Sequence, residues 1–362
     1  MKILVGLSGG VDSAVTAYLL KQAGHEVIGA TMSIWDKQQI YKSTGKDACF
    51  SPHEEKDIEE AKKICAKLDI PYQVFDCTEQ YKKVVLQNFK QEYLNGRTPN
   101  PCIRCNAMIK FNVLPETARA QGFSFDKFAT GHYVRLSQNE QNKRWQLQAA
   151  IDKSKDQSYF LYRLSQEQLS HIMLPLGNYN KSQIREIAKN IGLAVSDKPD
   201  SQDFYSGDIN DIIQAEPKQG NFVTTDGKIL GTHQGIWNFT IGQRRGLGIS
   251  AEKPLYVIGL NKEKNEVIVG FADESFKKGL IAHDLSWVSI EPSELPHKVW
   301  AKVRSSQKPV EVTAEVTGDE LKVTFADMQK ALTPGQSVVL YDDNEYILGG
   351  GIIDEVYYSP ST

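Results

Sequence analysis

The 362-residue chain contains no apolar run approaching the roughly 18–20 residues that a membrane-spanning helix needs. The short apolar stretch in MKILVGLSGG is cut by Gly and Ser before a secretion-signal core could form, and no small-residue cleavage site follows. It reads instead as a first β-strand, with a cytoplasmic location and no membrane partner expected. Cysteine is scarce: Cys49, Cys65, Cys77, Cys102 and Cys105, an odd number confined to the first third of the chain. That excludes a secreted disulfide framework and fits a reducing compartment. An excess of charge of one sign is also missing. There are 42 Lys+Arg against 45 Asp+Glu, net −3, so the chain is no broadly basic nucleic-acid wrapper and any such site must be a local patch. Internal repeats and low-complexity tracts are absent. With 40% hydrophobic and 24% charged residues, the composition excludes full disorder, and the length allows two or three domains with real cores.

What is present is an alternation of strand and helix patterns over the first 200 residues. Lys2–Leu7, His25–Met32, Pro71–Phe75 and Lys127–Thr130 read as strands, and the stretches from Asp12, Lys56 and Tyr81 read as helices. Cys65 lies on the apolar face of the Lys56 helix and is expected in the core. Such βα alternation predicts a parallel sheet with helices on both faces. After about residue 205 the helical periodicity stops. Asn221–Leu230 reads as a hairpin turned by Asp226-Gly227, and short alternating strands from Ile281 onward predict a β-barrel. The predicted fold class is therefore α/β, with a parallel-sheet domain over 1–208, a small central β-rich domain over 209–278 and a C-terminal β-barrel over 279–362.

Gly6-Leu7-Ser8-Gly9-Gly10-Val11-Asp12-Ser13 lies between the first strand and the first helix. Its glycines let the backbone approach an anion closely, and the helix N-terminus supplies free N–H groups and partial positive charge. Ser8 and Ser13 add hydroxyls. Asp12 is out of place beside a phosphate unless a cation such as Mg²⁺ lies between them. The plain alternative, a glycine-rich turn capped by Asp12, is outweighed by six matching positions in the right context. This is not the P-loop NTPase pattern, because the spacing differs and no Lys precedes Ser13.

SGGVDS resembles the PP-loop of ATP pyrophosphatases. That resemblance implies cleavage of ATP between its α- and β-phosphates and adenylation of a carbonyl oxygen. Further stretches narrow the choice: Arg97-Thr98-Pro99-Asn100-Pro101-Cys102-Ile103-Arg104-Cys105-Asn106, Ala129-Thr130-Gly131-His132-Tyr133, Lys155-Asp156-Gln157-Ser158-Tyr159-Phe160-Leu161, Asp200-Ser201-Gln202-Asp203 and Phe239 to Gly248. Together and in order they closely resemble the tRNA-specific 2-thiouridylase family over nearly the whole chain. The resemblance implies a sulfurtransferase acting on the wobble uridine (position 34) of tRNAs for Lys, Glu and Gln. ATP would activate the C2 oxygen, and cysteine-borne sulfur, supplied by a donor protein or as sulfide, would displace AMP.

Carried over by position, the ATP site would be Gly6, Leu7, Ser8, Gly9, Gly10, Val11, Asp12 and Ser13 with Met32 and Gly131. The tRNA would meet Asn100, Pro101, Cys102, His132, Lys155, Asp156, Gln157, Arg304, Ser305 and Gln336, with Arg244-Arg245 as a further candidate. Asp12, Cys102 and Cys105 would be catalytic. Cys105 stands before a helix expected to begin near Ala107, with Arg104 beside it, a setting that favours a thiolate. His132 and Tyr133, at a strand's C-terminal end, are placed to meet base or nucleotide.

Two positions depart from the family pattern. Cys102 occupies a position that is Asp in many members, although variants with Cys at both places exist. Tyr205 occupies the place of the family's second catalytic cysteine, and a phenol cannot carry a persulfide. Three routes stay open. Cys102 and Cys105 could act as a dithiol pair. They could ligate a [4Fe–4S] cluster with Cys49 or an outside ligand. Sulfur could also arrive directly from a carrier or as sulfide. Zinc is a weaker match, since no second CxxC or paired His is evident. The competing functions are an amidating ligase, which lacks a visible ammonia-supplying domain, and a non-catalytic or altered-substrate RNA-binding relative.

Overall fold

The computed structural model describes residues 1–37, 48–193 and 203–358, with Asp203 described by its backbone alone. The Asp200-Ser201-Gln202 run singled out above therefore lies outside the described residues. In chain order the first region contains β1 (Lys2–Gly6), α1 (Val11–Gln22), β2 (Glu26–Ser33), β3 (Ala48–Phe50), α2 (Glu54–Leu68) and β4 (Tyr72–Asp76). There follow α3 (Thr78–Tyr81), a π turn and α4 (Gln87–Leu94), then α5 (Pro101–Cys105), a second π stretch over Asn106–Val113 and α6 (Leu114–Ala120). The region closes with β5 (Lys127–Ala129), β6 (Val134–Gln138), β7 (Trp145–Ala149), α7 (Gln166–Ser170), β8 (Ile172–Met173), α8 (Lys181–Asn190), β9 (Asp203–Tyr205) and α9 (Ile209–Ile213).

Ile3, Leu4 and Val5 are fully buried, as a strand covered on both faces must be. Around β1 the parallel sheet runs β4-β2-β1-β5-β8. The chain fills one side of β1 first, through β2 and β4, and then returns to the other side with β5. The carboxyl ends of β1 and β5 therefore bound a topological switch point, where α/β sheets open a crevice. α2 buries Ala61, Ile64, Cys65 and Leu68 on one face. Burial pushes the Cys65 thiol up to about 12, so this cysteine is a core residue as expected.

The central region forms a four-stranded sheet from β10 (Gly220–Val223), β11 (Ile229–His233), β12 (Tyr256–Asn261) and β13 (Glu266–Gly270), and β10–β11 is the expected hairpin. β14 (Phe276–Trp287), β15 (Lys298–Lys302), β16 (Val310–Thr317), β17 (Glu320–Lys330), β18 (Ser337–Tyr341) and β19 (Ile347–Tyr357) close into a six-stranded barrel. Among the described residues no helix is long and apolar enough to cross a membrane.

Three details differ from expectation. The helix expected near Ala107 starts at Pro101, because Asn100 caps it, accepting from the Ile103 N–H, and proline suits the first helical position. The β6–β7 hairpin was not anticipated. The Lys155–Leu161 stretch turns inward to the barrel: Tyr159 donates to the Ser337 carbonyl at 2.8 Å, the Tyr162 and Ser337 hydroxyls are 3.0 Å apart, and Asp156 lies 3.6 Å from Lys302. Tyr159→Phe removes one buried donor without changing shape. It should cost about 1 kcal/mol, read as a lowered thermal midpoint, and an unchanged midpoint would show that this bond does not couple the first domain to the barrel.

Candidate active site

Gly6 ends β1 and the chain turns through Leu7–Gly10 into α1. Leu7 and Val11 are buried in the core, so they can offer the site only backbone. Gly9 has φ +69°, and a Cβ there would sit 2.7 Å from the Asp57 carbonyl oxygen, so conformation and space both demand glycine. Gly10 is the N-cap of α1 and supplies no side-chain cap. The first-turn amides and the positive end of the helix are thus left for an anion. Ser13 Oγ accepts from the Ser8 N–H at 3.2 Å and donates to the Gly10 carbonyl at 3.1 Å, with the Ser8 hydroxyl 3.4 Å away. Met32, near the end of β2, packs half-buried against the core. A Cβ on Gly131 would lie 2.8 Å from the Asp12 carbonyl carbon and 2.9 Å from the Ser13 nitrogen. The loop after β5 therefore rests directly on the first turn of α1.

Asp12 is the acid of the cradle, and its carboxylate accepts three hydrogen bonds. Lys181 Nζ donates to Oδ1 at 2.8 Å and to Oδ2 at 2.7 Å, and the Tyr133 hydroxyl donates to Oδ1 at 2.7 Å. Lys181 is only 8% exposed and Tyr133 2%. Sequence reasoning missed Lys181, which lies 169 residues away. One signal was available: Lys181 opens α8, the helix end that disfavours a cation, so its charge needs a partner elsewhere. Tyr133 is a buried strut, its backbone exchanging bonds with Gln157, whose Oε1 accepts from the Tyr133 N–H at 2.9 Å.

His132 is buried, with Nδ1 2.7 Å from the Thr130 hydroxyl and its ring 5.5 Å from that of Phe111. Burial, aided by Lys110, holds its pKa well below the usual imidazole range, so it is neutral at pH 7.

Cys102 and Cys105 lie three residues apart in α5, hence on one face. Burial pushes Cys102 up to about 12, reinforced by Cys49 and Cys105 and opposed by Lys110. Burial pushes Cys105 up to about 11, opposed by Lys110 and reinforced by Cys49. The expected easy thiolate is therefore corrected: Cys105 sits inside the helix, not ahead of it. The cation is Lys110, not Arg104, which points about 100° away along the helix and donates to the Val84 carbonyl at 2.9 Å. Among the described residues no group of three His, Cys, Asp or Glu side chains is arranged to hold a metal ion. Among the described residues Cys102 and Cys105 thus have no third ligand placed for a [4Fe–4S] cluster.

The remaining residues singled out by sequence surround this centre at varying depth. Asn100 and Pro101 form the cap of α5. Gln336 donates to the Thr98 and Pro99 carbonyls at 2.8 and 3.2 Å, fastening that loop to the barrel. Asp156 accepts from the Ser158 hydroxyl at 2.8 Å, and Gln157 serves Tyr133, so both are bonded within the protein. Lys155 and Ser305 are half-buried. Arg304 is exposed and donates to the Thr333 hydroxyl at 2.9 Å. Arg244 lines a groove of about 380 Å³ in the central domain with Leu247, Glu252 and Lys253. Tyr205 on β9 donates to Asp211 at 2.7 Å.

Residues 1–205 match a family model described as a tRNA methyl transferase HUP domain, 209–271 a tRNA methyl transferase PRC-barrel domain and 277–353 an aminomethyltransferase beta-barrel domain. The chain is 51% identical over 357 residues to the tRNA-specific 2-thiouridylase MnmA of Endomicrobium trichonymphae, covering 98% of this chain and 99% of that protein. It is 45% identical over 363 residues to the tRNA-specific 2-thiouridylase MnmA of Clostridium botulinum, and 43% identical over 362 residues to that of Clostridioides difficile, covering 98% of each chain in both pairs.

Two measurements check the site. Lys181→Met strands a part-buried carboxylate, so a cycle with Asp12→Asn should show a coupling of about 2 kcal/mol in stability; near-additive losses would deny the pair. A thiol with a pKa of about 11 is ionised to roughly one part in a thousand at pH 8. Alkylation of Cys105 in the folded protein should be slow at pH 8 and climb about tenfold per pH unit toward its pKa, whereas a free-thiol rate at pH 8 would contradict the shielding.

Proposed function

The chain belongs to the tRNA-specific 2-thiouridylase family, and from that premise we propose that it is an ATP-dependent tRNA sulfurtransferase that replaces the C2 oxygen of the wobble uridine with sulfur. The observation that carries this reading is a convergence. The cradle at the end of β1 touches the Gly131-His132 loop, and one lysine, Lys110, acts electrostatically on His132 on one side and on both thiols of α5 on the other. The His132 ring lies 5.5 Å from that of Phe111, a member of the core cluster against which Cys105 packs, so the phosphate loop and the cysteine helix meet through one packed cluster. The matching family is described by methyl transfer and the relatives by thiolation; a phosphate cradle with paired cysteines in the same domain suits the second.

The chemistry follows from leaving groups. The uracil C2 oxygen leaves poorly, and adenylation converts it into AMP, which leaves well. The α1 amides with Ser8 and Ser13 would hold the phosphates of ATP, using the helix's positive end. Mg²⁺ commonly takes one or two carboxylates plus phosphates, a set that Asp12 would complete, and it would neutralise the departing pyrophosphate. Cys105 must then give up a proton that burial retains, and Lys110 favours the thiolate. No step is assigned to an iron–sulfur cluster, since the thiols do not form a metal-holding group with a third ligand among the described residues. The target base would leave its stack to reach the crevice. Lys155, Arg304 and Ser305, with Arg244 and Arg245, would meet the backbone of a tRNA with a Lys, Glu or Gln anticodon, and Asn100 and Pro101 would stand by the base. The sulfur would come from a persulfide-bearing donor protein or from sulfide. A non-catalytic role is not favoured, because Asp12, Ser13 and Gly131 keep the geometry of a working cradle.

The test supplies the full chain with unmodified tRNA, ATP, Mg²⁺ and a persulfide donor. Nucleoside mass spectrometry should find 2-thiouridine, and pyrophosphate release should depend on tRNA. Asp12→Asn should lose both products, and Cys105→Ser should keep pyrophosphate release and lose thiolation. A methylated uridine, or loss of both products in Cys105→Ser, would contradict the assignment.

A further inference from the structure

Two proline-bearing segments face each other where the first domain meets the barrel. Arg97-Thr98-Pro99-Asn100-Pro101 leads into α5, and Thr333-Pro334-Gly335-Gln336 lies between β17 and β18. Pro99 and Pro101 fix their own φ and push Thr98 and Asn100 toward extended backbone, so the leader is stiff and passes its position on to the helix that Asn100 caps. The barrel segment is a tight turn. Its Gln336 N–H donates to the Thr333 carbonyl at 3.2 Å, with proline second and glycine third at φ +90°, the residue pattern of a type II turn.

The two backbones touch. The Thr98 N–H donates to the Pro334 carbonyl at 2.9 Å. A Cβ on Gly335 would lie 2.9 Å from the Thr98 nitrogen and 3.0 Å from its carbonyl carbon, so glycine alone lets the turn come this close. Gln336 Nε2 donates to the Thr98 and Pro99 carbonyls. Both partners are acceptors, which fixes the orientation of the amide and commits its donor nitrogen to the leader. What the Gln336 side chain has left is a carbonyl oxygen, whereas an RNA phosphate needs donors. Arg97 adds a second tie, donating from Nη2 to the Ile353 carbonyl of β19 at 3.1 Å and pairing with Asp354. At the start of the same turn Thr333 is buried, and its hydroxyl accepts from Arg304 and donates to the Ala331 carbonyl, each at 2.9 Å. One short turn therefore touches both the arginine assigned to the RNA backbone and the leader of the cysteine helix.

Building on the thiolation reading above, we propose that Gln336 is a positioning residue for the sulfur-transfer step and not an RNA contact. Through the Thr333–Gln336 turn the barrel sets where α5 begins relative to RNA backbone held at Arg304. The need is geometric, because the two halves of the reaction use different elements. The phosphates of ATP would lie against α1, while the thiol of Cys105 ends the short helix that Asn100 caps. A displacement of about 1 Å can cost on the order of 100-fold in rate. A leader released from the barrel would shift or fray α5 from its first residue and carry that thiol with it. Gln336 acts through the leader and on neither reactant directly, so its loss falls on the second half of the reaction.

The experiment compares the full-length wild type with Gln336→Met, which keeps the side chain's length and removes its donors, and with Gly335→Ala, which forces the turn off Thr98 and leaves every polar side chain in place. Three quantities are read: tRNA affinity by filter binding, 2-thiouridine formed per pyrophosphate released, and hydrogen exchange of the amides of residues 101–105 in the tRNA-free protein. Both variants should keep tRNA affinity within roughly two-fold, lower the product ratio about tenfold or more, and speed exchange in α5 about tenfold. A ratio that stays at the wild-type value while both products fall together would overturn the proposal, since a general loss of folded enzyme does just that. So would tRNA affinity weakened about tenfold in Gln336→Met with the ratio unchanged, the signature of a lost RNA contact. Wild-type thiolation is the internal control: its absence would sink the enzymatic reading. The exchange comparison is independent of activity, and unaltered exchange in both variants would sink the hold of the turn on α5.

Discussion

The carboxylate of Asp12 accepts from the Lys181 ammonium and the Tyr133 hydroxyl, and in doing so joins α1, the loop after β5 and the start of α8. Each partner brings a constraint. Lys181 sits at the electrostatically wrong end of its helix, which only a nearby anion offsets. Tyr133 reaches Asp12 because Gly131, two residues earlier, has no side chain to hold the loop off α1. The cradle is held open by these tertiary bonds and not by a cap of its own. A charged ligand entering it would meet a balanced cluster in which a cation could take the carboxylate and phosphate could take the lysine.

The sulfur side obeys a different constraint. Cys102 and Cys105 are half-buried in the face of α5, and the loss of solvation raises both pKa values, which leaves them poor nucleophiles at rest. Lys110 is the counterweight on the same segment. Its position follows from the π stretch over Asn106–Val113, an irregularity common where side chains must be re-aimed for function.

Much of this was legible in the sequence, for local reasons. A continuous apolar run marks β1 as buried on both faces, and Gly-Gly before an apolar helix marks the turn. Asp226-Gly227 sets the β10–β11 hairpin, and period-two alternation marks the barrel strands. The unread parts depend on long-range placement. Nothing near Lys181 or Lys110 announces the group each one serves. The pairing of β3 with β9 joins two three-residue strands separated by some 150 residues of chain, too short to carry a periodic signal. The polar residues of Lys155–Leu161 look solvent-facing in isolation, yet Asp156 and Ser158 are satisfied by each other and by the barrel. The start of α5 was available from Asn100 and Pro101 and was obscured by the polar Arg104-Cys105-Asn106 run that follows.

The most direct measurement of the central claim follows the label from ATP into RNA in the absence of any sulfur source. With [α-³²P]ATP, rapid quenching should trap radioactivity on the tRNA, chased to AMP when a persulfide is added, and [γ-³²P]ATP should leave the tRNA unlabelled. Label appearing on tRNA from the γ-phosphate, or no transfer from the α-phosphate while 2-thiouridine still forms, would contradict an adenylated uridine made in the cradle of α1.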